Sequence, residues 1–236
     1  MSDLFCPKAR VFLFAGNFGS GKTEIAINYA LQLRKQNPDV TIMDLDIIKP
    51  YFRCRAATEL MRSNGIQVVI PSGEYRYADL PIVLPEIKGR IAQNPGYTIL
   101  DIGGEDVGAR VLSYLSEAFE GLHDFEFFIV VNRNRPFTSD WLGVEKVLKA
   151  IERTAKLRFT GLISNNHLMQ ETDLDTVLAG YELAKEISQR TSLPIFCVAV
   201  PEELHDIAKA HISSPILPIH RYLLPPHLVK ARWSGI

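Results

Sequence analysis

Cysteine is scarce in this sequence, and charge of one sign is nearly cancelled by the other. The three cysteines, Cys6, Cys54 and Cys197, are odd in number, far apart and form no C-x-x-C pair. That argues against a disulfide framework or an embedded zinc or iron–sulfur centre, and fits a reducing cytoplasm. Lys and Arg total 26 against 27 Asp and Glu, a formal net charge of -1, so no global pull toward nucleic acid or an anionic membrane is expected. No apolar run reaches the about 18 residues of a membrane-spanning helix. The start, Met1-Ser2-Asp3-Leu4-Phe5-Cys6-Pro7, has no basic stretch leading into an apolar core, so neither export nor membrane insertion is expected. The six histidines show no H-x-H or H-x-x-x-H spacing and there is no G-x-S-x-G elbow, which leaves a histidine metal site and a serine hydrolase without support. Internal repeats and Gly/Ser linkers are missing too.

What the chain does have is enough apolar surface for a full core: 47% of its 236 residues are hydrophobic and 22% charged. A single α/β domain is expected over residues 1–212. The stretch 213–236, with Pro215, Pro218, Pro225 and Pro226, reads as a proline-rich arm packed on the same domain. Short β-rich runs alternate with segments of helical period, the pattern of βαβ units. Strands are predicted at Arg10–Ala15, Val40–Leu45, Ile66–Ile70, Tyr97–Ile102, Phe125–Val131, Arg158–Ser164 and Ile195–Val200, and helices at Lys22–Gln36, Ala56–Ser63, Ile82–Gln93, Val107–Glu120, Ser139–Lys156 and Asp173–Arg190. Trp141, Val144, Val147, Leu148 and Ile151 fall at helical spacing and mark a buried stripe. The expected fold is a three-layer α/β/α sandwich around a mostly parallel, seven-stranded sheet.

The strongest motif is Gly16-Asn17-Phe18-Gly19-Ser20-Gly21-Lys22-Thr23, a G-x-x-x-x-G-K-T phosphate loop between an apolar strand and a helix. Its glycines let backbone N–H groups converge on phosphate, Lys22 brings a point charge, and Thr23 offers a hydroxyl to magnesium. Glu24 follows in the opening turn and is counted among the nucleotide-contacting residues with Gly16, Asn17, Gly19, Ser20, Gly21, Lys22 and Thr23. A second carboxylate-bearing strand, Tyr97-Thr98-Ile99-Leu100-Asp101, continues as Ile102-Gly103-Gly104. Asp101 suits the metal, and a backbone N–H at Gly104 suits the terminal phosphate. A third element, Thr41-Ile42-Met43-Asp44-Leu45-Asp46, ends the second strand in D-x-D.

A phosphate loop, D-x-D after the second strand and a later D-x-G-G together resemble the SIMIBI class of P-loop nucleotide-binding proteins, the group of MinD, ParA and the CobQ/CobB-type ATP-binding proteins. The resemblance runs to about Val200 in order and spacing. It implies a P-loop NTPase fold, ATP or ADP with Mg2+ as ligands, Asp46 near the attacking water or magnesium, and Asp101 as a metal aspartate. Thr23, Asp46 and Asp101 are then the metal residues, and Lys22, Asp46 and Asp101 the catalytic ones. Asp44 is read as structural. The chain departs from the MinD and ParA branch at Asn17, where that branch carries a lysine reaching across a dimer. Arg53 and Arg55 either substitute for that cation or are solvated.

The run Val131-Asn132-Arg133-Asn134-Arg135-Pro136 lacks the carboxylate a guanine reader needs, which disfavours GTP. Asn165, with Asn166 second, offers a carboxamide to adenine, and backbone at Pro201 after the seventh strand completes the base site by the resemblance; both asparagines fit turn positions as well. The segment 71–81 is either an effector lid or a plain connection. The expected function is a Mg2+-dependent ATP-binding protein, a slow ATPase acting as a nucleotide switch for a protein or metallocofactor partner. A small-molecule kinase or CobB-type ligase with a small-molecule acceptor, and a non-catalytic nucleotide-binding module, stay open as alternatives, as does a homodimer. No nucleic acid and no membrane partner is expected, and the location is cytoplasmic.

Overall fold

Alternating apolar runs and helical stripes become layers in the computed structural model, which describes residues 7, 9–45, 54–69, 85, 87–92, 96–103 and 105–223. The strands are β1 (Val11–Ala15), β2 (Val40–Leu45), β3 (Gln67–Val69), β4 (Tyr97–Ile102), β5 (Phe125–Val131), β6 (Gly161–Ser164), β7 (Ile195–Pro201) and β8 (Ile216–Ile219). They pair in the order β3-β2-β4-β1-β5-β6-β7-β8, each pair parallel. Parallel neighbours need crossovers. Helices supply most of these: α1 (Lys22–Arg34), α2 (Cys54–Ser63), α3 (helical over residues 87–92), α4 (Glu105–Phe119), α5 (Trp141–Ala155), α6 (Leu174–Thr191) and the single turn α7 (His205–Ala208).

β1 shows why its sequence is apolar throughout. Val11, Leu13 and Ala15 join a cluster with side chains of α3, α4, α5 and α6, whereas Phe12 and Phe14 join a second with α1, α2 and Leu217 of β8. Successive residues point to opposite faces, so a strand covered on both sides has no polar face. On the α1 side Tyr29 is fully buried, its ring centre 5.1 Å from that of Phe12, 5.9 Å from Phe14 and 5.8 Å from Phe196. Burial pushes its phenol far above the ordinary value. On the other face Val144, Leu148 and Ile151 form the predicted stripe of α5. Asp140 caps that helix by accepting from Gly143 N at 2.8 Å, and Asp173 caps α6 by accepting from Thr176 N at 2.8 Å.

Two elements differ from expectation. β6 begins at Gly161 rather than Arg158: Glu152 of α5 accepts from Phe159 N at 3.0 Å and from Arg158 Nη1 at 2.6 Å, and Phe159 stacks on Phe127 at 4.1 Å. Side-chain bonds to α5 thus hold the approach to this strand. Among the described residues the sheet also has eight strands rather than the expected seven. Part of the expected arm, Ile216–Ile219, pairs with β7 in the register Val198↔Ile216 to Pro201↔Ile219. Pro218 is tolerated because β8 is an edge strand and needs no donor on its outer side.

Beyond β8 the chain crosses α1. Asn28 Oδ1 accepts from His220 N at 2.9 Å and its Nδ2 donates to His220 O at 2.9 Å. One turn earlier, Glu24 Oε1 accepts from Tyr222 N at 2.7 Å and Oε2 from Leu223 N at 3.2 Å. Two side chains four apart on one helix face therefore receive the backbone of an extended segment. Burial raises the Glu24 carboxyl above its ordinary 4.5, against the lowering pull of those two N–H groups, Arg221 and His220. A carboxyl that binds its proton more tightly when folded contributes stability at low pH that is lost as pH rises from 4.5 through the raised value. Glu24→Gln cannot ionise. Its melting temperature relative to wild type is expected to move upward between about pH 4 and about pH 8, followed by circular dichroism at fixed ionic strength; a downward move would show that the N–H bonds outweigh burial.

Candidate phosphate and base site

The order of strands fixes where a ligand fits. The chain leaves β1 for β2 and β3 on one side, returns to β4 beside β1, and then crosses to β5 on β1's other side. Such a reversal opens a crevice at the carboxyl ends of the strands. The phosphate loop follows β1 directly into it.

Gly16 has φ 154° and Gly21 φ 85°. A Cβ at Gly16 would overlap the Val130 carbonyl of β5, and one at Gly21 would overlap the Asn165 carboxamide. Only glycine satisfies both the backbone angles and the close approach. Gly21 caps α1 without any side-chain bond, so the first-turn N–H groups keep their directions open for an anion. Lys22 is buried, and its Nζ donates to the Asn17 carbonyl at 3.2 Å. The Ser20 hydroxyl is buried with no hydrogen-bond partner among the described residues. A glycine cradle, a buried ammonium and an unmatched hydroxyl are the donor set that a polyphosphate fills.

Asp101, the last residue but one of β4, is 3% exposed and in register with Phe14 of β1 and Asp44 of β2. Register partners share a face. Asp44 and Asp101 thus stand side by side on the α1 face, two positions beyond Ile42 and Ile99 of the cluster packed on α1. Asp44, read from sequence as structural, is placed with the metal aspartate candidate. A magnesium ion held largely by water and phosphate oxygen needs only the Thr23 hydroxyl and one or two carboxylates, and these residues fit it. Asp46, Gly104, Arg53 and the segment 71–81 lie outside the described residues, as does the side chain of Arg55.

Asn165 is buried, and its Nδ2 donates to the Ser20 carbonyl at 2.7 Å while its backbone N donates to Val131 O at 2.8 Å. It braces the loop from below. Asn166 is tied to α6 instead: its Nδ2 donates to the Thr176 carbonyl, and Gly180 leaves room for its Cβ. Glu24 directs its carboxylate to Tyr222 and Leu223, so a contact between Glu24 and nucleotide would have to run through its backbone. Pro201 ends β7, and the following Glu202 lies 3.4 Å from His220 Nδ1.

Asn17 and Arg135 hold surprises. Asn17 is buried, accepts from Phe18 N at 2.8 Å and donates to the Pro136 carbonyl at 2.5 Å. Its side chain turns inward. Arg135 Nε donates to the Gly19 carbonyl at 2.9 Å, a contact sequence reasoning did not foresee; the only local signal was its place in the turn after β5. A separate cleft of about 570 Å³ opens on the outer flank of α1, lined by Leu31, Lys35, Leu60, Pro218 and Tyr222 among others, away from the phosphate loop.

No protein-family model matches this sequence, and no curated protein does. Solved structures do. The signal recognition particle receptor FtsY from Elizabethkingia anophelis aligns with TM-score 0.52 and 17% identity over 93% of this chain and 67% of that one. FtsY from Mycoplasma mycoides gives 0.53 and 17% over 79% and 58%. Chloroplast FtsY from Physcomitrella patens gives 0.53 and 15% over 79% and 57%. The chain thus spans from 57% to 67% of the length of these proteins. At such identities the likeness speaks for architecture alone: the chain has the mostly parallel α/β, P-loop NTPase-like fold of these FtsY structures.

Proposed function

We propose that this protein binds ATP with Mg2+ and hydrolyses it slowly, as a nucleotide switch for a protein or metallocofactor partner. The observation that carries the reading is the phosphate loop itself, braced by Asn165 from below and set beside the Asp44–Asp101 pair. Bound magnesium would neutralise phosphate charge and orient the terminal phosphate. Lys22 and the loop N–H groups bind the phosphates, Thr23 and Asp101 hold the metal shell, and Asp46 positions the attacking water. Adenine is favoured because neither the turn after β5 nor the run Asn165-Asn166-His167-Leu168 offers a carboxylate to a guanine edge. One observation favours guanine instead: Glu202 and Glu203 are exposed just after β7, next to Pro201.

Lys22→Ala should lower triphosphate affinity by roughly ten- to a hundredfold, the loss of a charge-assisted bond, with circular dichroism unchanged. Isothermal titration reads it, and unaltered affinity in a folded variant would overturn the phosphate-loop assignment.

Competition between ATP and GTP for the wild-type protein should favour ATP by about tenfold or more. Equal or tighter GTP binding would pass the base site to the guanine reading.

Asp101→Asn is expected to flatten the Mg2+ dependence of ATP affinity, and Asp46→Asn to slow phosphate release with a milder loss of binding. Wild-type turnover in both would make them ordinary strand-end acids. In the same assay, ATP consumed only when an acceptor is added would indicate the kinase or ligase class, and binding without turnover a non-catalytic module.

A further inference from the structure

Arg135 belongs to the turn between β5 and α5, 116 positions from the residue it contacts. Its guanidinium lies over Gly19, whose φ is 76°. A Cβ added to Gly19 would sit 3.1 Å from Arg135 Nε and 3.6 Å from Cζ. The turn that carries the arginine is fixed at each step. Asn134 N donates to Asn132 Oδ1 at 2.9 Å, Arg135 N to Asn132 O at 3.2 Å, and Thr138 Oγ1 to Asn132 O at 2.7 Å. Asn17 holds the next residue, Pro136, through its carbonyl. Loop and turn are thereby fastened at two adjacent points, Asn17 to Pro136 and Gly19 to Arg135.

Charge makes this more than a fastening. Arg10, Arg158 and Arg190 each meet a carboxylate, Asp124, Glu152 and Glu186 respectively, whereas Arg34, Arg90 and Arg133, away from the loop, donate to uncharged oxygens. Arg135 is half-buried and forms no ion pair among the described residues, and of its guanidinium only Nε makes a described hydrogen bond. A guanidinium cannot shed its proton. Partly desolvated and without a counter-charge, it stands beside the cradle where an anion is expected and gains most when that anion arrives. The loop residue from which a cation was expected on the family pattern, Asn17, is uncharged and turned inward.

We infer that Arg135 is a phosphate-binding residue, a cation brought in cis by the β5–α5 turn to the terminal phosphate of a nucleoside triphosphate at the Gly16–Thr23 loop. The inference rests on the nucleotide reading above and deepens it. A charge aimed at the terminal phosphate separates triphosphate from diphosphate, whereas a mere fastening of the loop affects both alike.

The experiment measures ADP and a non-hydrolysable ATP analogue, each with Mg2+, by isothermal titration on wild type, Arg135→Gln and Arg135→Lys at two salt concentrations. Arg135→Gln keeps an amide donor within reach of the Gly19 carbonyl but removes the charge. It is expected to weaken the triphosphate analogue about tenfold or more while changing ADP about threefold or less, with a shallower salt dependence for the triphosphate. Arg135→Lys should recover part of the triphosphate affinity. Equal losses for both nucleotides, or none, in a protein of unchanged melting temperature would overturn the proposal and leave Arg135 a fastening. A wild type that binds neither nucleotide would overturn the nucleotide reading itself, and this proposal with it.

Discussion

A glycine loop that turns its backbone N–H groups to one side turns its carbonyls to the other, and those carbonyls need partners of their own. That requirement organises the site. The Asn17 carbonyl receives Ser20 N and Lys22 Nζ, the Gly19 carbonyl receives Arg135 Nε, the Ser20 carbonyl receives Asn165 Nδ2, and the Gly21 carbonyl receives Ile25 N. Three of these donors are side chains, one from the loop's own helix and two from the ends of β5 and β6. The strands that flank β1 on that side therefore set the shape of the cradle as well as the core. Removing the Arg135 or the Asn165 donor leaves the Gly19 or the Ser20 carbonyl without its described partner, and the cost of an unmatched, partly buried polar group exceeds the modest worth of the bond.

The fold was legible where physics is local. β2, β4 and β5 begin and end where the sequence predicts, because strands covered by helices on both faces are apolar along most of their length. The turn between β1 and α1 was legible in its backbone, because Gly16 and Gly21 meet positive φ angles and close approaches that only glycine accepts. What could not be read depends on distant partners. Asn17 was read as a missing cation; it is a clasp to Pro136, 119 positions away. Asn165 was read as a base reader and is found under the loop, 145 positions from Ser20. Nothing in a local pattern distinguishes an asparagine that recognises a ligand from one that supports the loop recognising it.

β8 was hidden for another reason. Ile216-Leu217-Pro218-Ile219 contains a proline, which in a sequence argues against a ladder, and only its position at the edge reconciles the two. Its pairing places the next residues over α1, where Glu24 and Asn28 receive them. A segment read as an arm is thus joined to the helix whose first turn follows the phosphate loop. The carboxylate immediately after Thr23 serves the arm.

The two rims of the sheet have a consequence for solubility. β3 offers three residues, Gln67–Val69, and β8 four with a proline among them. A long, flat strand with free donors is a template on which another copy's strand can grow. Here the described rims are too short, and on one side too poor in N–H groups, to seed that growth. Among the described strands, the strongly β-prone β1 and β5 are shut in the middle of the sheet, out of reach of another copy's strand while the sheet is intact.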